Sequence, residues 1–361
     1  MKLHEKILYS LLKLFLRVKE TPGIDIGSPK KIMVIRQHNQ LGDLIVATPL
    51  FRALKEKFPD AEITAVVSSQ NRKALERNPL IKNIFVFDKK RLTKLNYLKE
   101  LYSVFRHEYD LVIVPSITSL SFTSNLLARI SNSRIRIGPA SLNGEINHSS
   151  FFFDKRVILD WREKEETHAA VRNLDIIKPF GINTANLQPI IYFDGKDKTE
   201  AFNFIEQIKG DPDSPIVGVH AGAGKIQNRW HHDNFAELLI QLRKNFKARI
   251  YLSKGGKDDD EITKLISSKC DFEINVFDKP GMSLLTALIE QSDLFITNDT
   301  GPMHAAAASN TATISLFGPT NPKMWAPTGK NKFYLHKGND INLIKVEDVF
   351  QLAENILTTQ K

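Results

Sequence analysis

The sequence predicts an α/β protein made of two parallel-sheet units in series. Three observations carry this. Short apolar runs of strand length alternate with segments of helical spacing along the chain. The alternation weakens once, over the turn-rich and charged stretch from Gly181 to Pro215, and then restarts. The length of 361 residues suits two domains of ordinary size, placed at 1–190 and 191–361.

The elements follow in order. Residues 3–18 read as an amphipathic helix, with Ile7, Leu8, Leu11, Leu12, Leu14, Phe15 and Leu16 interrupted by Lys6, Ser10, Lys13 and Arg17. Lys13 and the lack of a small-residue cleavage site argue against a signal peptide. Such a helix either lies on an anionic bilayer or packs on the body of the protein. Lys31 to Arg36 is a buried strand that runs into a glycine-containing loop carrying Asp43. Thr48 and Pro49 read as the N-cap and first residue of the next helix. Strands are expected at Ala61–Val67, Asn83–Phe87, Leu111–Val114 and Arg134–Gly138, and helices at Tyr97–Phe105 and His168–Phe180. After the linker come strands at Ile216–His220, Ala248–Leu252, Ile274–Val276, Leu294–Thr297 and Thr313–Phe317. Helices are expected at Phe235–Phe246, Leu284–Ile289, after Pro302, and at Val346–Leu357. Alternation of this kind implies doubly wound parallel sheets facing a cleft.

Composition narrows the function. The chain is 42% hydrophobic and 25% charged, as a globular protein should be. Its single cysteine, Cys270, forbids an internal disulfide and suits a reducing, cytoplasmic compartment. No Cys/His cluster has zinc spacing, so neither a metal nor another cofactor is expected. The net charge of +9 favours anionic partners. Nucleic acid is an unattractive one, because the basic residues are dispersed and no reader motif is present.

Two strand-to-helix junctions carry candidate chemistry. Asp299-Thr300-Gly301-Pro302 follows a buried strand and opens a small-residue helix, where backbone N–H groups favour an anion. The plainer reading is a capped helix start. Asp43 sits beyond another strand, where open α/β sheets bind ligands. The plainer reading there is an acid that favours a helix N-terminus. Gly255-Gly256 with Asp258 or Asp259 is a further candidate, for sugar hydroxyls. Lys89, Lys90, Arg91 and Lys94 form a basic cluster, and Arg134 and Arg136 lie past another strand; a solvated face is the ordinary alternative. Met282–Leu285 either lines a base pocket or packs in the core.

Four segments in register resemble glycosyltransferase family 9, the heptosyltransferases of the lipopolysaccharide inner core. They are Ile35-Arg36 through Leu41-Gly42-Asp43 with Thr48-Pro49; His220-Ala221-Gly222-Ala223 with Arg229-Trp230; Asp299-Thr300-Gly301-Pro302-Met303-His304; and Phe317-Gly318-Pro319-Thr320-Asn321-Pro322. The resemblance implies a GT-B fold and an inverting, metal-independent glycosyltransferase. It implies an ADP-heptose donor held by the second domain and an anionic, lipid-linked saccharide acceptor held by the first, at the inner face of the cytoplasmic membrane. Asp43 becomes the general base. His220, Lys225, Arg229, Asp258, Asp299, Thr300, Gly301, Pro302 and His304 become donor contacts. Arg36, Lys89, Lys90, Arg91 and Arg136 become acceptor contacts. One departure stands out: the family's pattern has lysine before Arg-Trp, and this chain has Asn228. That keeps open a relative with another donor or acceptor, or one that binds a donor without transferring it.

Overall fold

A computed structural model of the chain describes residues 3–21, 23–37, 41–256, 259–279 and 281–359. The chain divides into two compact units, Met1–Leu187 and Gln188–Lys361.

In the first unit, α1 (Leu3–Leu16) precedes β1 (Lys31–Arg36), α2 (Leu41–Val46), α3 (Thr48–Lys57), β2 (Glu62–Val67), α4 (Arg72–Leu75), β3 (Asn83–Val86), α5 (Leu95–Arg106), β4 (Tyr109–Ile113), α6 (Phe122–Ile130), β5 (Ser133–Leu142), β6 (Glu145–Ile146), β7 (Lys155–Leu159) and α7 (Ala169–Leu174). The sheet order is β3-β2-β1-β4-β5-β6, with β7 also on β5. The pairings are parallel except for the β5–β6 hairpin. Asn143 and Gly144 turn that hairpin with φ of 48° and 82°, values that an Asn-Gly pair tolerates. One face of the sheet buries Met33, Ile35, Val66, Val112 and Val114 against Tyr97 and Phe105 of α5 and Leu127 of α6.

The second unit runs α8 (Gly195–Glu206), β8 (Ile216–His220), α9 (His232–Phe246), β9 (Arg249–Ser253), α10 (Asp259–Lys269), β10 (Asn275–Phe277), α11 (Met282–Glu290), β11 (Leu294–Asn298), α12 (Gly301–Ala307), β12 (Ala312–Phe317), α13 (Pro322–Trp325), β13 (Lys332–His336) and α14 (Val346–Thr359). Its sheet is parallel throughout, in the order β10-β9-β8-β11-β12-β13. Strand order reverses between β8 and β11, as it does between β1 and β4 in the first unit. Trp230, Phe235 and Leu239 pack with Ile250, Ile296 and Val349 in the core below.

Several expectations need correction. Asp43 lies in the first turn of α2 rather than in a loop, a position that favours a negative charge. Thr48 does not cap α3, because its hydroxyl donates back to the Ile45 carbonyl at 2.7 Å. The helix expected from His168 to Phe180 ends at Leu174 and resumes as a 3-10 turn, Lys178–Phe180, closed by Gly181 at φ 68°. The stretch taken as linker contains α8, whose capping box joins Asp194 and Asp197. Of the two readings given for Met282–Leu285, core packing is the one that fits Leu284 and Leu285, which are buried in α11.

The N-terminal helix packs on the first unit. The Tyr9 ring meets Phe122 edge-on at 5.4 Å, and Arg129 Nε donates to the Leu16 carbonyl at 2.6 Å. Its outer row, Leu11, Leu14 and Phe15, stays exposed. Among the described residues no helix is long and apolar enough to cross a membrane.

The packing makes one glycine indispensable. A Cβ on Gly138 would sit 2.2 Å from the buried Phe153 ring. Gly138→Ala should therefore cost on the order of 1–3 kcal/mol through overpacking. A lower urea midpoint with an unchanged m-value checks this.

Candidate active site

The second unit carries a cavity of about 250 Å³ at the carboxyl ends of its strands. It is lined by His220, Ala223, Gly224, Arg229, Gly255, Gly256, Asp259, Thr300, Gly301 and Pro302. These residues come from the loops after β8, β9 and β11. This is the point of strand-order reversal, where the connections diverge and leave a crevice.

Each wall has a local cause. The β8 loop is anchored by Asn298, the fully buried last residue of β11. Asn298 Nδ2 donates to the Ala221 carbonyl at 2.7 Å, and its Oδ1 accepts the Trp230 N–H at 3.2 Å. The Trp230 indole donates to the Ile344 carbonyl at 2.9 Å. Between these fixed points, Arg229 Nε donates to the Ala223 carbonyl at 2.7 Å. That bond uses one of five guanidinium donors. On the β11 side, Thr300 and Gly301 open α12. Among the described residues, no protein acceptor takes either N–H.

The β9 wall is a carboxylate against an imidazole. Asp259 accepts the Gly255 N–H at 2.6 Å and lies 3.9 Å from His220 Nε2. It reaches that place because residue 222 has no side chain: a Cβ there would fall 2.0 Å from Asp259 Oδ1. His220 Nδ1 lies 3.0 Å from the Ser253 carbonyl, so it carries the proton and donates. Burial holds the His220 pKa below its ordinary value, against the Asp259 charge. The cavity wall is thus a neutral imidazole at neutral pH.

The remaining expected donor residues sit around this cavity. Asp299 does not line it; its carboxylate accepts from Asn228 Nδ2 at 2.9 Å. Burial raises the Asp299 pKa, opposed by the Thr320 hydroxyl and Lys225. Lys225 is exposed on the loop, and His304 is buried within α12. Asp258 lies outside the described residues; its neighbour Asp259 is the carboxylate on the wall. The Asn228 side chain is buried, and among the described residues its Oδ1 has no hydrogen-bond partner.

In the first unit the candidate base is Asp43. Its carboxylate lies 3.9 Å from Arg36 at the end of β1, and Arg36 also donates to the Asp43 carbonyl at 3.3 Å. Burial raises the Asp43 pKa, and the Arg36 charge partly opposes that rise. Arg36 is itself buried beside Asp43 and offers no open surface. Lys89, Lys90 and Arg91 form an exposed 3-10 turn beyond β3, capped by the Asp88 carboxylate. Arg91 stacks over the Tyr97 ring at 4.5 Å. Arg136 is a correction: it is spent inside the fold, on Asp154 at 3.2 Å and on the Ala128 and Ser131 carbonyls at the end of α6. Arg134 donates to the Ile26 carbonyl.

One further cluster is contiguous in the sequence. His231, His232 and Asp233 bring ligand atoms within 4.8 Å of one another at the surface. Their charge is already engaged, because Lys269 pairs with the Asp233 carboxylate.

Comparison with known proteins follows this geometry. The profile of "Glycosyltransferase family 9 (heptosyltransferase)" matches residues 99–349, more than half of the chain. Lipopolysaccharide heptosyltransferase 3 of Escherichia coli K12 is 26% identical over 337 residues, covering 88% of this chain and 95% of that protein. The glycosyl transferase family 9 structure from Veillonella parvula superposes with a TM-score of 0.78 at 22% identity, covering 91% of this chain and 97% of that one. The E. coli ADP-heptose lps heptosyltransferase II structure gives 0.72 at 21%, covering 91% and 99%. These structures share the fold of two Rossmann-like units.

The Asn298 anchor yields a test. Asn298→Ala leaves the Ala221 carbonyl and the Trp230 N–H without their partner. Each orphaned buried group should cost on the order of 1–3 kcal/mol. Thermal or urea unfolding measures the loss, and faster amide exchange at Trp230 locates it.

Proposed function

The chain belongs to glycosyltransferase family 9, and from that premise we propose that it transfers heptose from ADP-heptose to a lipopolysaccharide inner-core acceptor with inversion at the anomeric carbon. The observation that carries this reading is the Asp43–Arg36 pair: a partly desolvated carboxylate, held in place at the end of a central strand. In the proposed step the acceptor oxygen attacks the anomeric carbon as its proton passes to Asp43. The bond from that carbon to the donor phosphate breaks, and its electron pair leaves on ADP. The charge that develops there needs fixed donors. Arg229 and the Thr300 and Gly301 N–H groups are the proposed ones, with Lys225 nearby. Asp259 is the proposed partner of the donor's sugar hydroxyls. Lys89, Lys90 and Arg91 are proposed to hold anionic groups of the acceptor.

This scheme calls for no metal, since the cationic and amide donors do the metal's electrostatic work. The acceptor is lipid-linked, so the chain is proposed to work at the inner face of the cytoplasmic membrane, with α1 as one attachment. Asn228 favours a second reading, donor binding without transfer, because it puts a neutral amide where the family's pattern has a cation.

Asp43→Asn decides between the two. It should retain ADP-heptose binding and lose about a hundredfold to ten-thousandfold in turnover. The assay is ADP release with a heptose-deficient core acceptor, run in excess EDTA. Near-normal turnover in the variant removes Asp43 from the mechanism. ADP-heptose binding without turnover in the unmodified chain, across a panel of acceptors, supports the binding reading.

The rate should also report the Asp43 environment. The base works only when ionised, so activity falls as pH drops through its raised pKa. Arg36 lowers that pKa, so Arg36→Gln should move the acid limb to higher pH. An unmoved limb with lower activity would mean that Arg36 is only structural.

The donor cradle is checked by calorimetry with ADP. Arg229→Ala should weaken binding by on the order of 1.5–3 kcal/mol, the worth of a charge-assisted contact. A Cβ on Gly301 meets nothing within 4 Å, so Gly301→Val should fold normally and still obstruct the ligand. Unchanged affinity in both variants places the donor elsewhere.

A further inference from the structure

The first unit shows a second amphipathic face, distinct from the strand ends where Asp43 lies. On α5 the buried side is Tyr97, Leu101, Val104 and Phe105. The opposite side carries Leu95, Leu98, Lys99, Tyr102 and Arg106, at helical spacings that place them in one band. Leu95 is 67% exposed and Tyr102 is 66% exposed. Between Lys89 and Arg106 the chain has six Lys or Arg residues and one acid, Glu100. Exposed apolar side chains gathered in one band and rimmed by cations form a patch of the kind that marks an interaction surface. A surface that is apolar within and anionic at its rim would match both parts.

Helix α1 packs on α6, which shares a core cluster with α5. Phe105 of α5 and Leu127 of α6 share one core cluster, and Tyr9 of α1 packs on Phe122 of α6. The outer row of α1, with Phe15 at 76% and Leu14 at 75% exposure, has Lys13 and Arg17 close to it in the sequence. Ile130 at the end of α6 is also exposed.

We propose that α5 is a second membrane-contact helix: Leu95, Leu98 and Tyr102 enter the interfacial layer of an anionic bilayer while Lys99 and Arg106 meet its headgroups, together with α1. This extends the proposed membrane location of the acceptor and rests on it for its biological purpose, but not for its physics.

The test uses the full chain and vesicles of phosphatidylcholine alone or with phosphatidylglycerol, without donor or acceptor. The unmodified chain should co-sediment with the anionic vesicles and lose binding as salt rises. Each cation near an anionic surface adds about fivefold to partition. The double variant Lys99→Glu, Arg106→Glu should therefore bind at least twentyfold less, and Leu95→Glu, Tyr102→Glu should fall as well. These positions are exposed, so unfolding midpoints should not change. Partition equal to that of the unmodified chain in both α5 variants overturns the proposal. So does a fall in sedimentation mass caused by Leu95→Glu in vesicle-free solution, which would make this face a contact between copies. ADP release with a delipidated acceptor is measured in parallel. Lost vesicle binding with normal release supports the α5 surface. Vesicle binding that the α5 variants lose, with no release even from the unmodified chain, supports the α5 surface and refutes only the transfer reading.

Discussion

The second unit depends on one buried amide. Asn298 ends β11, donates to the loop after β8, and accepts from the backbone of Trp230. No other side chain of that size offers a donor and an acceptor in fixed opposition. An aspartate would keep one bond and bury a charge; a leucine would leave two polar backbone groups unpaired. With this clamp in place, the loop from Gly222 to Arg229 is held at both ends. Trp230 then serves as its deep anchor, edge-on to Phe235 at 4.9 Å. The position of Arg229 follows from that anchoring rather than from any contact of its own with the core.

The two units repeat one topological device with different electrostatics. Each places its candidate chemistry where strand order reverses. In the first unit the reversal point holds a carboxylate and a guanidinium, both largely withdrawn from water. That pair suits proton transfer, because the charge of Asp43 is neither fully solvated nor fully neutralised. In the second unit the reversal point offers backbone amides, a neutral imidazole and one arginine, with the Asp259 carboxylate set apart on the β9 wall. That set suits a phosphate-bearing ligand, which needs many directed donors and little proton exchange.

Much of this was legible in the residues themselves. Strands of a parallel sheet are buried on both faces, so they read as unbroken apolar runs. His220 and Thr300–Pro302 were legible as cavity residues because they end or follow such runs, and Asp43 because it comes soon after one; Arg229 was legible only through the family resemblance. What escaped depended on tertiary partners. Helix α8 has a narrow buried face, Ala201 and Ile205, set in a charged sequence, and it reads as linker until α11 packs on it. Arg136 looked available because its partner Asp154 lies on a later loop. The place of Asp259 was not legible locally: it depends on the empty space above a glycine on another strand's loop.

That empty space has an evolutionary consequence. Gly222 and Asp259 share one volume, with 2.0 Å between the missing Cβ and a carboxylate oxygen. A lineage that shortened residue 259 first would free position 222 to drift and to acquire a side chain. A lineage that changed 222 first would pass through a clashing intermediate. Change at these two positions is therefore ordered, and once 222 has acquired a side chain, restoring the acid at 259 is blocked. A new preference at this wall would be gained through a ratchet rather than a reversible exchange.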